Sequence, residues 1–369
     1  MADKGLVLNC DLNAWKLNRK FLVTSLMSSS FLKQSFDETK TRLAEVESYW
    51  AKIGHDKSFD FPKWMTRFFT DTTMVMTTGR KATASSAYYK ELTNKNKKNK
   101  LEPAETEVFL DHLLVWEDSM KFFTLIPPLL RHYILYYYNE KFKQNKAWLD
   151  EYLFGLIRNR KSEIERTPEN VPLHMNVLTL LAIANTPRGM KSEMKFDVPR
   201  SLTDKEISSN MLEVFAGGIA TTANSVSFIL YYLSKHSQHR ERFLQEIQTI
   251  LGDDINTPLN YEHLDKFIFL DAIIKEGARL NPAISLFFRT ADSEDTIGAD
   301  PIPKFAFLQF GAGMRMCPGR NWALLQIKTL LISLYRKYEV ELADKNAPLN
   351  HVYTIVNHVY DLNIKFTPK

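Results

Sequence analysis

Apolar and polar positions alternate along most of this chain with the period of a helix. A polar run from Phe36 to Ile53 carries Leu43, Val46 and Trp50 at helical spacing, and Ser237 to Leu251 aligns Phe243, Ile247 and Leu251 on one face. Pro62 suits the first turn of a helix over Lys63 to Met76. Tyr133–Tyr138, Trp148–Ile164 and Leu264–Leu280 continue the helical pattern, as does Asn321–Tyr338 with Leu324, Ile327, Leu331 and Leu334 in register. Thr203 and Glu206 have the spacing of a capping box, which starts a helix predicted to run to about Ser234. Tyr338–Leu342 and His351–Phe366 alternate with period two and predict terminal strands. Phe122–Leu130 is apolar but broken by Pro127 and Pro128, and Thr93–Lys100 reads as a solvated loop.

One predicted helix departs from the amphipathic pattern. Val214–Ser234 is uncharged and long enough to span a bilayer, but Thr221, Thr222, Asn224, Ser225 and Ser227 suit a buried core helix better than a lipid-facing one. It also holds Gly217 and Gly218, each costing roughly 1 kcal/mol against alanine in a helix interior, so something there needs the gap. With 369 residues the chain can bury a sizeable core in one large domain or two. The net charge of +5 is too mild to argue for a nucleic-acid partner. Cys10 and Cys317 make no disulfide framework, which suits a reducing, intracellular compartment. Met1–Gly5 has no apolar core of a signal peptide or anchor.

The candidate chemistry lies around Cys317. Phe310–Gly319 reads Phe-Gly-Ala-Gly-Met-Arg-Met-Cys-Pro-Gly, with Gly311, Gly313 and Gly319 allowing backbone to approach a flat group, and Arg315 as a fixed cation. A helix predicted just beyond, with Pro318 near its first turn, sets Cys317 at a positive terminus expected to lower the thiol pKa and favour the metal-ligating thiolate. The stretch resembles the cysteine-ligand loop of cytochromes P450, F-x-x-G-x-R-x-C-x-G, at Phe310, Gly313, Arg315, Cys317 and Gly319. Five coincidences have a chance on the order of 10⁻⁷ per start position.

Three further stretches resemble that family in its order. Trp15 and Arg19 are similar to the tryptophan and arginine of helix C that meet a haem propionate. Gly217, Gly218, Thr221 and Thr222 resemble the oxygen-binding stretch of helix I, but Ala220 stands where its acid belongs. Glu276 and Arg279 match the buried E-x-x-R pair of helix K, and Arg289 takes the position of a further propionate-binding arginine. Too few positions separate Glu276 from Cys317 for the family's K-prime helix and meander, which implies a deletion at 304/305. The position of Trp15 likewise implies that the membrane anchor, helices A and B and most of the first sheet are absent.

The resemblance therefore implies a mainly α fold with small β-sheets, an incomplete cytochrome P450 fold in a single haem domain over residues 1–369 that starts near helix C. It implies haem b with Cys317 as iron ligand, propionates held by Trp15, Arg19, Arg289 and Arg315, and Thr221 and Thr222 as catalytic residues. The implied activity is monooxygenation, insertion of one oxygen atom from O₂ into a small lipophilic substrate with NADPH-cytochrome P450 reductase as partner. Two alternatives stay open: a haem isomerase or dehydratase that does not activate O₂, raised by Ala220, and a truncated, non-catalytic remnant that binds haem weakly or not at all. Family members sit on the endoplasmic reticulum membrane, and residues 122–130 would supply peripheral contact with it.

Overall fold

A computed structural model describes residues 5–7, 9–94, 104–187, 200–286 and 307–369, with the backbone alone for 121–125, 128 and 131–139. The protein is mainly α, with two small sheets among the described residues. Local chemistry starts the first helices. Asp11 accepts from Asn13 N and Ala14 N at the head of α1 (Leu12–Leu26), and Ser28 caps α2 (Ser29–Ile53). Asp60 caps α3 (Phe61–Thr78), whose first turn holds Pro62 as the sequence predicts. The next helix, α4 (Ala84–Thr93), has no cap of its own; Asp71 of α3 accepts from Ala84 N at 2.8 Å and Ser85 N at 2.9 Å. The long pair α5 (Glu105–Leu125) and α6 (Pro128–Arg166) meets at the predicted proline break, where Leu129 is 87% exposed. The short α7 (Val177–Ile183) follows.

Two predicted helices are each divided. The stretch from Thr203 to about Ser234 forms α8 (Asp204–Gly218) and α9 (Ala220–Lys235), with the break at Ile219. Besides the two glycines, Thr221 Oγ donates to the Gly217 carbonyl at 2.6 Å, so a side chain competes for an acceptor of the helical ladder. The pair remains a core element: it is long and apolar enough to cross a membrane, but 61% of its apolar window is buried in protein. After α10 (Ser237–Leu251), Leu264–Leu280 is likewise split into a 3-10 turn (Tyr261–Lys266) and α11 (Ile268–Leu280). The Glu246 carboxylate of α10 accepts from Phe269 N at 2.6 Å and Leu270 N at 3.0 Å and so caps a new helix start.

The chain ends with α12 (Arg320–Lys337) and four of the five strands among the described residues. In the larger sheet β5 (Asn363–Pro368) lies between β1 (Phe59–Asp60) and β2 (Tyr338–Leu342), antiparallel to both, with Phe59 opposite Ile364 and Val340 opposite Phe366. Alternation turns Ile364 and Phe366 inward, where Phe366 stacks on Trp50 with ring centroids 4.6 Å apart. Each such side chain contributes roughly 2–3 kcal/mol by burial. β3 (His351–Val352) and β4 (His358–Val359) form a short hairpin inside the predicted His351–Phe366 stretch, tied to α9 where Asn224 Oδ1 accepts from Val359 N at 2.8 Å. One hydrophobic cluster joins α2, α3, α9, α12 and the larger sheet.

Candidate functional site

The cysteine loop is built by its backbone. The Cys317 N–H donates to the Phe310 carbonyl at 2.9 Å and Gly311 N–H to Leu308 O at 2.9 Å, while Gly313–Arg315 makes one 3-10 turn. Gly311 and Gly313 have φ of 73° and 64°, a region that side-chain-bearing residues rarely adopt, so here the sequence glycines answer a conformational demand. The loop delivers Cys317 just ahead of the first turn of α12. Cys317 is exposed, and the Gly319 and Arg320 N–H groups favour its thiolate, as does Arg19.

The thiol pKa nevertheless moves opposite to the sequence expectation. Desolvation by the surrounding protein outweighs those three contributions and pushes the Cys317 thiol up from its ordinary value. Burial at this loop therefore works against ionisation of the thiol, and a cation that ligates the sulfur works for it.

Beside the loop, Trp15 is buried and serves as a platform for two cations. The Arg315 guanidinium carbon lies 4.3 Å from its ring centroid and that of Arg19 5.5 Å. Burial lowers the Arg19 pKa, Cys317 opposes that shift and Arg315 adds to it. Among the described residues no acid forms an ion pair with either arginine. This leaves two neighbouring guanidiniums next to a thiol, a donor set that complements a group carrying two carboxylates and a metal.

The α8–α9 break supplies a second surface. Gly217 is exposed and a Cβ there would meet nothing within 4 Å, whereas a Cβ on Gly218 would sit 3.5 Å from Thr73 Oγ and 3.9 Å from the Trp322 ring. The two glycines therefore do different things: Gly217 borders open space and Gly218 lets α8 pack on α3 and on the first turn of α12. Thr221 is half-buried and bonds back to Gly217, while Thr222 and Ala220 are buried. Trp322, whose indole N–H donates to Ser35 Oγ at 2.6 Å, joins the cysteine helix to the helix break.

Other expected members separate from this cluster. Glu276 and Arg279 do form a two-pronged ion pair, 2.7 and 2.8 Å, but their side chains are 55% and 60% exposed, so the expectation of a buried pair is corrected. The pair is an ordinary i, i+3 contact on the solvent face of α11. Arg289 and the 304/305 join lie outside the described residues. A cavity of about 770 Å³ opens on another flank of the loop, between α11, α12 and Phe307–Gly313, and neither Cys317, Arg19 nor Thr221 lines it. Sequence reading missed Glu213 on α8, whose carboxylate accepts from Leu6 N and, at 3.0 Å, from Val7 N. No local pattern connects residues so distant in the chain.

The model of the family described as cytochrome P450 matches residues 2–304 and 293–366. The 1,25-dihydroxyvitamin D(3) 24-hydroxylase of Rattus norvegicus is 31% identical over 207 residues, 46% of this chain and 40% of that protein. Lanosterol 14-alpha demethylase of Mus musculus is 27% identical over 197 residues, 43% of this chain and 39% of the relative. These alignments thus span about two fifths of the length of each relative. Among solved structures, the P450DA haem domain superposes with a TM-score of 0.76 at 16% identity, covering 98% of this chain and 79% of its own. The cytochrome P450 CYP102L1 superposes with a TM-score of 0.73 at 15% identity, covering 99% and 85%.

Proposed function

The chain belongs to the cytochrome P450 family, and from that premise we propose that it is a haem-thiolate monooxygenase domain acting on a small lipophilic substrate. The observation that carries the reading is Cys317 held ahead of α12, with Arg19 and Arg315 flanking Trp15 beside it. These residues fit haem b: Cys317 Sγ as iron ligand, the two arginines and the Trp15 N–H toward the carboxylates, and Gly311, Gly313 and Gly319 leaving the loop backbone clear of side chains. Arg289 is proposed as a further carboxylate partner. When bound, haem with a thiolate ligand supplies O₂ cleavage and transfer of one oxygen atom.

The chain's own residues position and protect. Cys317 Sγ gives up its proton on ligation, assisted by the neighbouring amides and Arg19. Gly217 keeps a side chain out of the space beside the helix break, and Thr221, turned to the same stretch, holds a hydroxyl proton that it now gives to the Gly217 carbonyl. Thr222, proposed beside it from the family pattern, is buried in the core. NADPH-cytochrome P450 reductase is the proposed electron donor. The exposed Leu129 and Leu130 at the α5–α6 connection support peripheral contact of residues 122–130 with a membrane. The two overlapping family matches, 2–304 and 293–366, support the reading of residues 1–369 as one haem domain with a deletion at 304/305.

Ala220 favours a second reading, a haem isomerase or dehydratase that does not activate O₂, because the buried methyl cannot pass a proton. The test is the carbon monoxide difference spectrum of the dithionite-reduced protein expressed with haem precursor, beside Cys317→Ala. A red-shifted Soret band lost in the variant is expected. Its absence from the parent would reject both enzymatic readings, and substrate turnover only with reductase and O₂ would separate them.

A further inference from the structure

Ahead of α1, Leu6, Val7 and Asn9 lie between two charged side chains. Leu6 N–H donates to Glu213 Oε2 on α8, and the carbonyl of the same residue accepts from Arg315 Nη1 at 3.3 Å. Val7 N–H also donates to Glu213 at 3.0 Å, and Asn9 O accepts from Arg315 Nη2 at 3.1 Å. Gly5 packs so closely on Glu213 that a Cβ would collide with the carboxylate. Leu6 and Asn9 are buried. Glu213 lies one helical turn before Gly217, on the face that borders the open space. A single residue, Leu6, thus bridges the helix break and the cysteine loop.

These contacts use the donors that a carboxylate-bearing cofactor needs. Arg315 turns two N–H groups to neutral carbonyls, although an anionic acceptor forms charge-assisted bonds about twice as strong. We propose that Gly5, Leu6, Val7 and Asn9 form a strap over the carboxylate end of the cofactor site, anchored by Glu213, which holds the cofactor-free form closed and is displaced from Arg315 when porphyrin carboxylates bind. The proposal rests on the haem-binding reading but not on thiolate ligation. While the strap is closed, it lowers the apparent porphyrin affinity by the fraction of molecules that are open.

The test measures amide hydrogen exchange of the peptide containing residues 5–9, in the full chain expressed without haem precursor. Parent, Glu213→Gln and Cys317→Ala proteins are each titrated with protoporphyrin IX and with its dimethyl ester. Glu213→Gln is expected to speed exchange at Leu6 and Val7 roughly tenfold and to tighten protoporphyrin binding by about three- to tenfold. Protoporphyrin, but not the ester, is expected to release the strap in the parent and equally in Cys317→Ala. Slow exchange persisting in the porphyrin complex would overturn the strap, as would equal release by the ester. Tighter porphyrin binding by Glu213→Gln with unchanged exchange would also overturn it, because loss of charge repulsion alone would then explain the gain. Failure of all forms to bind porphyrin would reject the strap and the haem reading together. Strap release without a red-shifted carbon monoxide band would keep the strap and reject thiolate ligation.

Discussion

Glu206 shows how one residue can be half legible. Its place in a capping box with Thr203 follows from spacing, and both bonds of the box form. The Arg200 guanidinium, which grips both carboxylate oxygens at 2.7 and 2.8 Å, is the larger influence and holds the Glu206 carboxyl down at about 2. As pH falls, the unfolded chain takes up the proton first, so this contribution is full above the ordinary value near 4.5 and is lost toward pH 2. Glu206→Gln should cost roughly 1–2 kcal/mol at neutral pH, discounted because Arg200 is half exposed, and flatten the acid limb of stability in urea titrations between pH 5 and 2. The two helix-break glycines separate by the same logic of surroundings. Gly217→Val should leave the melting temperature unchanged or higher but reduce haem uptake in a Soret titration. Gly218→Val should cost about 1–3 kcal/mol as its methyls press on Thr73 and Trp322.

At the scale of elements, hydrophobic period located helices well and their ends less well. Phe243, Ile247 and Leu251 are buried on α10 as their alignment predicts, because a stripe facing the core is a local property of the sequence. The starts of α4 and α11 were not legible, since their caps come from Asp71 and Glu246 on neighbouring helices. Asp71→Ala should therefore cost about 1–2 kcal/mol, seen as a lower urea midpoint with an unchanged slope, although the lost side chain lies outside the helix it caps. The unbroken helix expected over Thr203–Ser234 fails for a related reason. Glycine propensity marks a weak point, but the bond from Thr221 to Gly217 and the packing of Gly218 on Trp322 decide that the break falls at Ile219.

For the whole molecule, the pair Glu276 and Arg279 measures how far this chain departs from its family's pattern. The motif predicts a buried structural pair, yet both side chains face solvent. Glu276→Ala should leave the thermal midpoint of this chain unchanged within error, because an exposed pair contributes little against screening and side-chain entropy. A marked drop would mean that the pair is covered in solution. Leu129 and Leu130 make the complementary large-scale prediction. Replacing both with Ser should reduce co-sedimentation with anionic phospholipid vesicles severalfold without altering the carbon monoxide spectrum.

The sequence by itself determined the mainly helical class, the faces that enter the core and the cysteine loop with its positive-φ glycines, because periodicity and backbone chemistry act within a few residues of one another. The order of the motifs along the chain was enough to identify the family. Only the tertiary structure decided the protonation bias of Cys317, the separate duties of Gly217 and Gly218, the exposure of Glu276 and Arg279, and the bridge from Glu213 through Leu6 to Arg315. Each depends on desolvation or contact between segments far apart in sequence, and those quantities come into being only when the chain has packed.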